Sequence, residues 1–465
     1  MAKRKTKLID TKTHTSWTSH WMFLLAVIGS SIGLGNIWKF PYEMGAHGGG
    51  TFLLVYIPCV LLVALPVMMS EIMIGRYGGS NPVHGLLQIL KKEKLPNYWR
   101  YMGWIGMLTG FLVFTYYSVV AAWILFYIMQ SITGSFVNVP AEIVQHSFGA
   151  LLRDKDQLLI WHTVFVLLVV MILSRGLRVG LERALLVLVP CFVALLVWLF
   201  IYASQVGDFD KALDFVFSYD LAEIDAELIV SALTQALFSL SVGIGALVMF
   251  GAYLSDHRPI ATASVFVMVF DTAIALIMAL MIFSIVFAYG MQPDSGAGLI
   301  FETLPVAFSQ MTSNSVLWST LFFTLLGVAA LTSAFSLLEP SIAWVVNQFN
   351  VTRRYATWSV GFLAWVGGLF SIYSFNDWKF SFYYFNEERI YGMFDVLNIV
   401  TIHFMIPLVA LLATIFAGWK ISRRQSQNEL SIPVEIGYRA WRFCSKIFAP
   451  ALLTTVLIIV FLYPA

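Results

Sequence analysis

Between Leu24 and Gly50 the chain reads LLAVIGSSIGLGNIWKFPYEMGAHGGG. An apolar helical run is interrupted by Gly29, Ser30, Ser31, Gly33, Gly35 and Asn36, and resumes toward Tyr42. Glycine in a helix interior costs about 1 kcal/mol, so three glycines among two serines and an asparagine predict a break. A break frees backbone N–H and C=O groups, which at membrane depth are tolerated only inside protein or facing a polar cavity. A half-helix N-terminus can hold an anion, and freed carbonyls can hold a cation. The stretch therefore reads as a binding site made of backbone. The plainer alternative is a kinked helix packing its small residues on a neighbour.

A second interruption lies in residues 228–253, LIVSALTQALFSLSVGIGALVMFGAY, at Ser239, Ser241, Gly243 and Gly245. Other residues out of place in apolar runs are Asp271, Glu71, Glu339 before Pro340, the pair Thr332 and Ser333, and Tyr117. A carboxylate inside a span costs about 2.5–3.5 kcal/mol or more, which makes Asp271 a functional candidate. Glu71 and Glu339 fit structural work as well, tying helices or satisfying backbone groups near a proline. Adjacent Thr332 and Ser333 do not share a helix face, yet both reach an ion placed between them near the Ala329 carbonyl. No Cys/His metal set, GxSxG, nucleotide loop or HExxH is present, so soluble-type catalysis has no support. No nucleic-acid partner is expected either.

The elements that position these residues follow from composition. The 465 residues are 59% hydrophobic and 12% charged, too apolar for a soluble domain. Runs of bilayer-spanning length are centred near residues 31, 63, 116, 166, 193, 241, 274, 328, 364, 405 and 456, eleven in all. Of the 28 Lys and Arg, 22 fall on alternate loops: the N-terminal cluster, Arg76–Arg100, Arg175–Arg183, Arg258, Arg353–Arg354 and Lys420–Lys446. The opposite loops are acidic or poor in charge, as at Asp208, Asp210, Asp214, Asp220, Glu223 and Asp225. The positive-inside rule then places the N-terminus in the cytoplasm and, with an odd span count, the C-terminus outside.

The expected fold is an all-α polytopic membrane protein of eleven helices. The two interrupted spans, 1 and 6, stand at corresponding places in two five-span halves, the pointer to a 5+5 inverted repeat with one extra C-terminal helix. The expected divisions are a cytoplasmic tail (1–19), a first repeat (20–203), an extracellular loop (204–225), a second repeat (226–420), then a cytoplasmic segment with helix 11 (421–465). Residues 80–97 read as an amphipathic surface helix on Val83, Leu86, Leu87 and Leu90, and 293–312 as an outer loop with a re-entrant hairpin about Pro305. Cys59, Cys191 and Cys444 form no disulfide framework.

The run Gly29–Pro41 with Gly48-Gly49-Gly50, GRYGG at 75–79, Gln235–Gly245 and Leu331-Thr332-Ser333 resembles the signature of the neurotransmitter:sodium symporters. The likeness covers spans 1–10 in order. It implies one amino acid and two sodium ions near the midplane. The substrate carboxylate would meet the N–H groups of Leu34 and Gly35 and the Tyr117 hydroxyl. Its amine would meet carbonyls of Ser31, Phe238 and Ser239 and the Ser241 hydroxyl. Its side chain would lie among Ser30, Val113, Phe238, Ser241, Ile244, Ser333 and Leu337. The first sodium would use Ser31, Asn36, Ser239 and Asp271. The second would use carbonyls of Gly29, Ile32 and Ala329 with the hydroxyls of Thr332 and Ser333.

The gates depart from the family pattern. The outer Arg–carboxylate pair becomes Lys39 with Asn398, and Asp395 stands nearly one turn earlier as the expected partner. The inner Arg–Asp pair becomes His14 and Asn347, while Trp17 and Tyr253 keep their inner-gate character. The chloride neighbourhood of the family corresponds to Tyr56, Gln235, Ser239 and Asp271. A fixed charge on Asp271 there makes chloride unnecessary. The expectation is a sodium-coupled importer of a neutral, apolar or aromatic amino acid in the cell membrane. A channel and a sensor that binds without transporting are the alternatives.

Overall fold

Helix breaks fall where glycine and serine cluster. The structure is a computed structural model that describes residues 16–137, 139–255, 259–293, 298–311, 314–384 and 387–462. His14, Arg258 and the N-terminal basic cluster lie outside them. Among the described residues nine helices are long and apolar enough to cross a membrane: Gly50–Gly78, Asn97–Ile132, Lys155–Ser174, Leu177–Val206, Ile260–Ala288, Ser315–Phe349, Arg353–Ser374, Met393–Lys420 and Glu435–Leu462. These correspond to spans 2–5 and 7–11 of the sequence. A tenth crossing arises if the bent pair His20–Ser31 and Gly35–Ala46 is one span, span 1. Span 6 is present as two shorter helices, Ala226–Ser239 and Ala246–Ala252.

The two halves of span 1 are bent by 46°. The helix stops at Ile32, whose backbone leaves the helical region (φ −70°, ψ 89°), and resumes as a π-helical turn at Gly35–Lys39. Glycine is required here by close approach. A Cβ on Gly33 would lie 2.4 Å from the Ser333 hydroxyl, and one on Gly35 would lie 2.9 Å from the Phe238 ring. In span 6 the break spans Leu240–Gly245, and Ser241, Gly243 and Gly245 all take positive φ (55°, 79° and 74°). That left-handed conformation suits glycine and strains serine.

Around the breaks, spans 3 and 8 pack along much of their length, and span 2 packs against the second half of span 6. The latter contact is backbone on backbone: a Cβ on Gly75 would sit 1.9 Å from the Val248 carbonyl oxygen, and one on Gly251 would sit 2.3 Å from that of Ile72. Span 2 also reaches into the break, where the buried Glu71 carboxylate accepts the Gly243 N–H at 2.9 Å. Glu71 thus satisfies a donor that the unwound backbone could not satisfy itself.

Outside the spans, Pro82–Glu93 is the expected surface helix, with Val83, Leu86 and Leu90 buried. The 204–225 loop contains a helix, Phe209–Phe217, and its acids do local work. Asp208, Asp220 and Asp225 each accept a backbone N–H at a helix start. One sequence expectation needs correction. Residues around Pro305 form no hairpin; Leu299–Thr303 and Leu304–Gln310 are consecutive helical turns, with the proline in a first turn where its missing N–H is harmless. Between spans 9 and 10 an unexpected antiparallel hairpin pairs Lys379–Tyr384 with Glu387–Gly392. Its aromatic residues are good strand formers.

Because Gly75 touches backbone, Gly75→Ala should push span 2 off span 6 and cost about 1–3 kcal/mol, as overpacking does. Thermal unfolding of the purified protein in detergent checks this. Gly149→Ala, where an added Cβ meets nothing within 4 Å, should not lower the midpoint.

Candidate functional site

The two breaks face each other across spans 3 and 8, and they enclose a cavity of about 30 Å³. Eleven of the expected substrate residues line it: Ser30, Ser31, Leu34, Gly35, Val113, Tyr117, Phe238, Ser241, Ile244, Ser333 and Leu337. Ser239 does not. Gly33, Val242, Ser336 and Ile406 complete the wall. The hydroxyls of Ser30 and Tyr117 are buried without a hydrogen-bond partner, whereas Ser241 donates to the Ser30 carbonyl at 2.8 Å. No lining residue carries a formal charge. A water needs about 10–15 Å³ of such space, so the cavity as it stands admits a water or two, and an amino acid must displace side chains to enter.

Two clusters of oxygen flank this cavity. In one, Asn36 donates to Asp271 Oδ1 at 2.7 Å, and Ser239 Oγ lies 2.5 Å from Asp271 Oδ2 and 2.6 Å from Asn36 Oδ1. A hydroxyl has one proton, so Ser239 cannot satisfy both acceptors. All three side chains are buried. Ser31, expected to join them through its backbone carbonyl, donates its hydroxyl to Ile28 O at 3.1 Å. Nearby, Gln235 donates to Gly35 O at 2.8 Å, but its own oxygen and the Tyr56 hydroxyl have no partner.

In the other cluster, span 8 meets the freed carbonyls of span 1. Thr332 Oγ1 lies 3.0 Å from Ala329 O and 3.5 Å from Ile32 O. Ser333 Oγ lies 3.0 Å from Ile32 O, 3.1 Å from Ser30 O and 3.4 Å from Gly29 O. Again acceptors outnumber protons. Both side chains reach the Ile32 carbonyl, although they point to different sides of their helix. Both clusters offer only oxygen donors, which suits a hard cation rather than a thiolate- or imidazole-bound metal. Among the described residues no His/Cys/Asp/Glu cluster could hold a metal ion.

Toward one end the cavity is roofed by Leu34, Tyr117 and Phe238, which also floor a wider vestibule of about 520 Å³. Lys39, Asp395 and Asn398 all line that vestibule, but the expected Lys39–Asp395 pair is absent. Lys39 pairs with Glu43 at 3.7 Å, one turn along its own helix, and Glu43 is held in turn by the Ser231 hydroxyl at 2.5 Å. Asp395 caps its own helix, accepting the Gly392 N–H at 2.9 Å. With the vestibule open, each side chain takes the local partner.

The opposite end is shut. Trp17 donates its backbone N–H to Tyr253 O and its indole N–H to Phe250 O, each at 3.1 Å, and sets its ring edge-on to both aromatics. Thr18 donates from backbone and hydroxyl to Glu182 at 2.9 and 2.8 Å. Tyr253 donates to Glu339 at 2.8 Å, and Arg353 grips the same carboxylate with two N–H groups at 2.8 and 2.5 Å. Asn347, expected at this gate, is exposed and bonds only Ser80 at 3.2 Å. Glu182, Glu339 and Arg353 were not expected as gate residues. Glu339 stands out in the sequence as a carboxylate in a span, whereas Arg353, a basic residue at a span end, signals only topology.

Removing Arg353 leaves Glu339 buried with the Tyr253 hydroxyl but no counter-charge, a loss of about 3–5 kcal/mol for a buried pair. Arg353→Ala should therefore speed amide hydrogen exchange across residues 17–31 and 246–254 at least tenfold. Arg353→Gln combined with Glu339→Gln should recover part of the loss. Unchanged exchange in Arg353→Ala would show that the network does not hold this end closed.

Comparison with known proteins places this geometry. The model of the sodium:neurotransmitter symporter family matches residues 14–148 and 141–464. The chain is 30% identical over 455 residues to the uncharacterized sodium-dependent transporter YhdH of Bacillus subtilis, covering 96% of each. It is 28% identical over 468 residues to the uncharacterized sodium-dependent transporter MJ1319 of Methanocaldococcus jannaschii, covering 95% of this chain and 89% of that one. Its structure is similar to the crystal structure of MhsT in complex with L-phenylalanine, with a TM-score of 0.86 and 33% identity over 95% of this chain and 99% of that chain. With the matched model, the relatives and the helix architecture in agreement, the chain belongs to the sodium:neurotransmitter symporter family.

Proposed function

We propose that this protein imports a neutral, apolar or aromatic amino acid together with sodium, by alternating access across the cell membrane. One observation carries the reading: the two oxygen clusters and the central cavity share the same broken backbone. Ser30 contributes its carbonyl to Ser333 and Ser241 and lines the cavity. A cation that draws these carbonyls together shapes the cavity, and a substrate that fills the cavity fixes the carbonyls. Each then favours the conformation the other needs, which is coupling in the linkage sense. The wide vestibule and the shut opposite end correspond to an outward-facing state with the N-terminus in the cytoplasm.

The substrate class rests on charge. A cationic or anionic side chain would be buried unpaired among uncharged groups, at a cost of several kcal/mol. The phenylalanine bound in MhsT is in keeping with an apolar side chain here. Uptake into proteoliposomes is the test. A sodium gradient should drive accumulation of phenylalanine, leucine or a similar amino acid above equilibrium. Mere equilibration would mark a channel, and binding without flux a sensor.

Two sodium sites are proposed, the first at Ser31, Asn36, Ser239 and Asp271, the second at Gly29, Ile32, Ala329, Thr332 and Ser333. Thr332→Val and Ser333→Ala each delete one oxygen with little change in volume. Either should raise the sodium concentration for half-maximal uptake at least several-fold, and unchanged dependence in both would remove them from the site.

Chloride is not required in this scheme. An ionised Asp271 beside the first sodium already supplies the negative charge. A chloride about 5 Å away would be repelled by several kcal/mol even at an effective dielectric constant near 20. Uptake with gluconate replacing chloride on both sides should be unchanged. Asp271→Asn should either abolish sodium binding or make uptake respond to chloride. Loss of wild-type uptake in gluconate would overturn the role given to Asp271.

A further inference from the structure

Between spans 10 and 11 lie two short helices, Arg423–Leu430 and Glu435–Phe443, and the second runs without a break into span 11. The segment from Trp419 to Ile447 carries Lys420, Arg423, Arg424, Arg439, Arg442 and Lys446 against only Glu429 and Glu435. Glu429 is taken up by Arg76 of span 2, whose Nε lies 2.7 Å from its carboxylate. That leaves Glu435 facing the cations, shared between Arg423 at 2.5 Å and Arg439 at 3.3 Å. Arg442 donates to the Tyr438 hydroxyl at 2.7 Å and to Ser426 at 3.4 Å. Lys446 sits over the Trp419 ring at 5.0 Å. Neutral groups thus hold Arg442 and Lys446 without neutralising them, and one carboxylate serves both Arg423 and Arg439.

The apolar residues beside them face outward. Ile436, Phe443 and Ile447 recur on one side of the helix and are 76%, 56% and 56% exposed. The other side is anchored, with Tyr438 and Trp441 buried and the Trp441 indole donating to Pro66 O at 3.4 Å. The helix Glu435–Leu462 has 28 residues, or about 42 Å at 1.5 Å per residue. A hydrocarbon core is about 30 Å thick, so its first turns lie at headgroup depth. A basic helix with an exposed apolar face belongs in that layer, and guanidinium groups match phosphate oxygens in geometry and charge.

We propose that Arg423, Arg439 and Arg442 bind the headgroup phosphate of an anionic phospholipid, whose acyl chain lies along Phe443 and Ile447. Topogenic bias alone places basic residues at this end, but it does not require two of the guanidiniums to be held about one tyrosine, at 5.7 and 6.0 Å from its ring. A soluble phosphate would use the arginines and leave the apolar face unexplained.

The test uses the full chain in nanodiscs of phosphatidylcholine, with or without phosphatidylglycerol. Thermal unfolding and native mass spectrometry of retained lipid are the readouts. Phosphatidylglycerol should raise the unfolding midpoint and stay bound. Arg423→Gln/Arg439→Gln/Arg442→Gln should lose most of that shift and of the retained lipid, while Arg175→Gln/Arg178→Gln, between spans 4 and 5, should keep both. Inorganic phosphate should give no shift in detergent. If the triple variant does not fold, lysine at the three positions keeps the charge but not the fork, and should weaken retention. The proposal is overturned if phosphatidylglycerol gives no shift, if the folded glutamine or lysine variants retain lipid as the wild type does, or if phosphate alone reproduces the effect.

Discussion

Everything at the centre of this protein depends on backbone carbonyls that have left a helix inside a membrane. Freed carbonyls there need partners, and the chain supplies too few protons. Ser333 has one hydroxyl hydrogen and three carbonyls of span 1 within 3.4 Å. Ser239 has one for two acceptors within 2.6 Å. In the proposed sites a cation resolves this surplus of acceptors, in keeping with the serine, threonine, asparagine and aspartate, rather than sulfur or imidazole, that gather at the breaks. The donor side of the same problem is met by Glu71, which receives the Gly243 N–H.

The ends of the molecule follow from this centre. A site shared by ion and substrate is useful for transport only if it opens to one side at a time. One side is held by groups distant in sequence: Trp17 on Phe250 and Tyr253, and Arg353 and Tyr253 on Glu339. A buried carboxylate that loses its partner is costly, so the Arg353–Glu339 pair opposes opening on this side. Among the described residues the other side has no comparable lock. Lys39 is paired within its own helix and Asp395 is occupied as a cap, which leaves the vestibule open above Phe238 and Tyr117. In the proposed cycle the substrate supplies the missing closure energy on that side.

Local sequence revealed the breaks because glycine clusters act locally: Gly33 and Gly35 in span 1, Gly243 and Gly245 in span 6. Asp271 stood out because an ionisable residue in an apolar run is expensive wherever it lies. The inner network was not legible in the same way. Arg353 is separated by 100 residues from Tyr253, and a basic residue at a span end reads first as topology. Lys39 and Glu43 stand at i and i+4, a spacing that permits the pair, whereas the family pattern sets the partner of this position in span 10. The hairpin at 379–392 was hidden by aromatic residues that serve equally at a membrane interface and in a strand. Ser336 and Ile406 gave no signal, since their place in the cavity wall depends on how spans 8 and 10 meet the break in span 6.

The central claim is that ion and substrate are held by one set of broken-backbone groups, and equilibrium binding tests it most directly. Phenylalanine affinity of the purified protein would be measured as sodium is varied against potassium, and sodium affinity as phenylalanine is varied. Coupling through a shared site requires each ligand to tighten the other by the same factor. Equal phenylalanine affinity in sodium and potassium would contradict it.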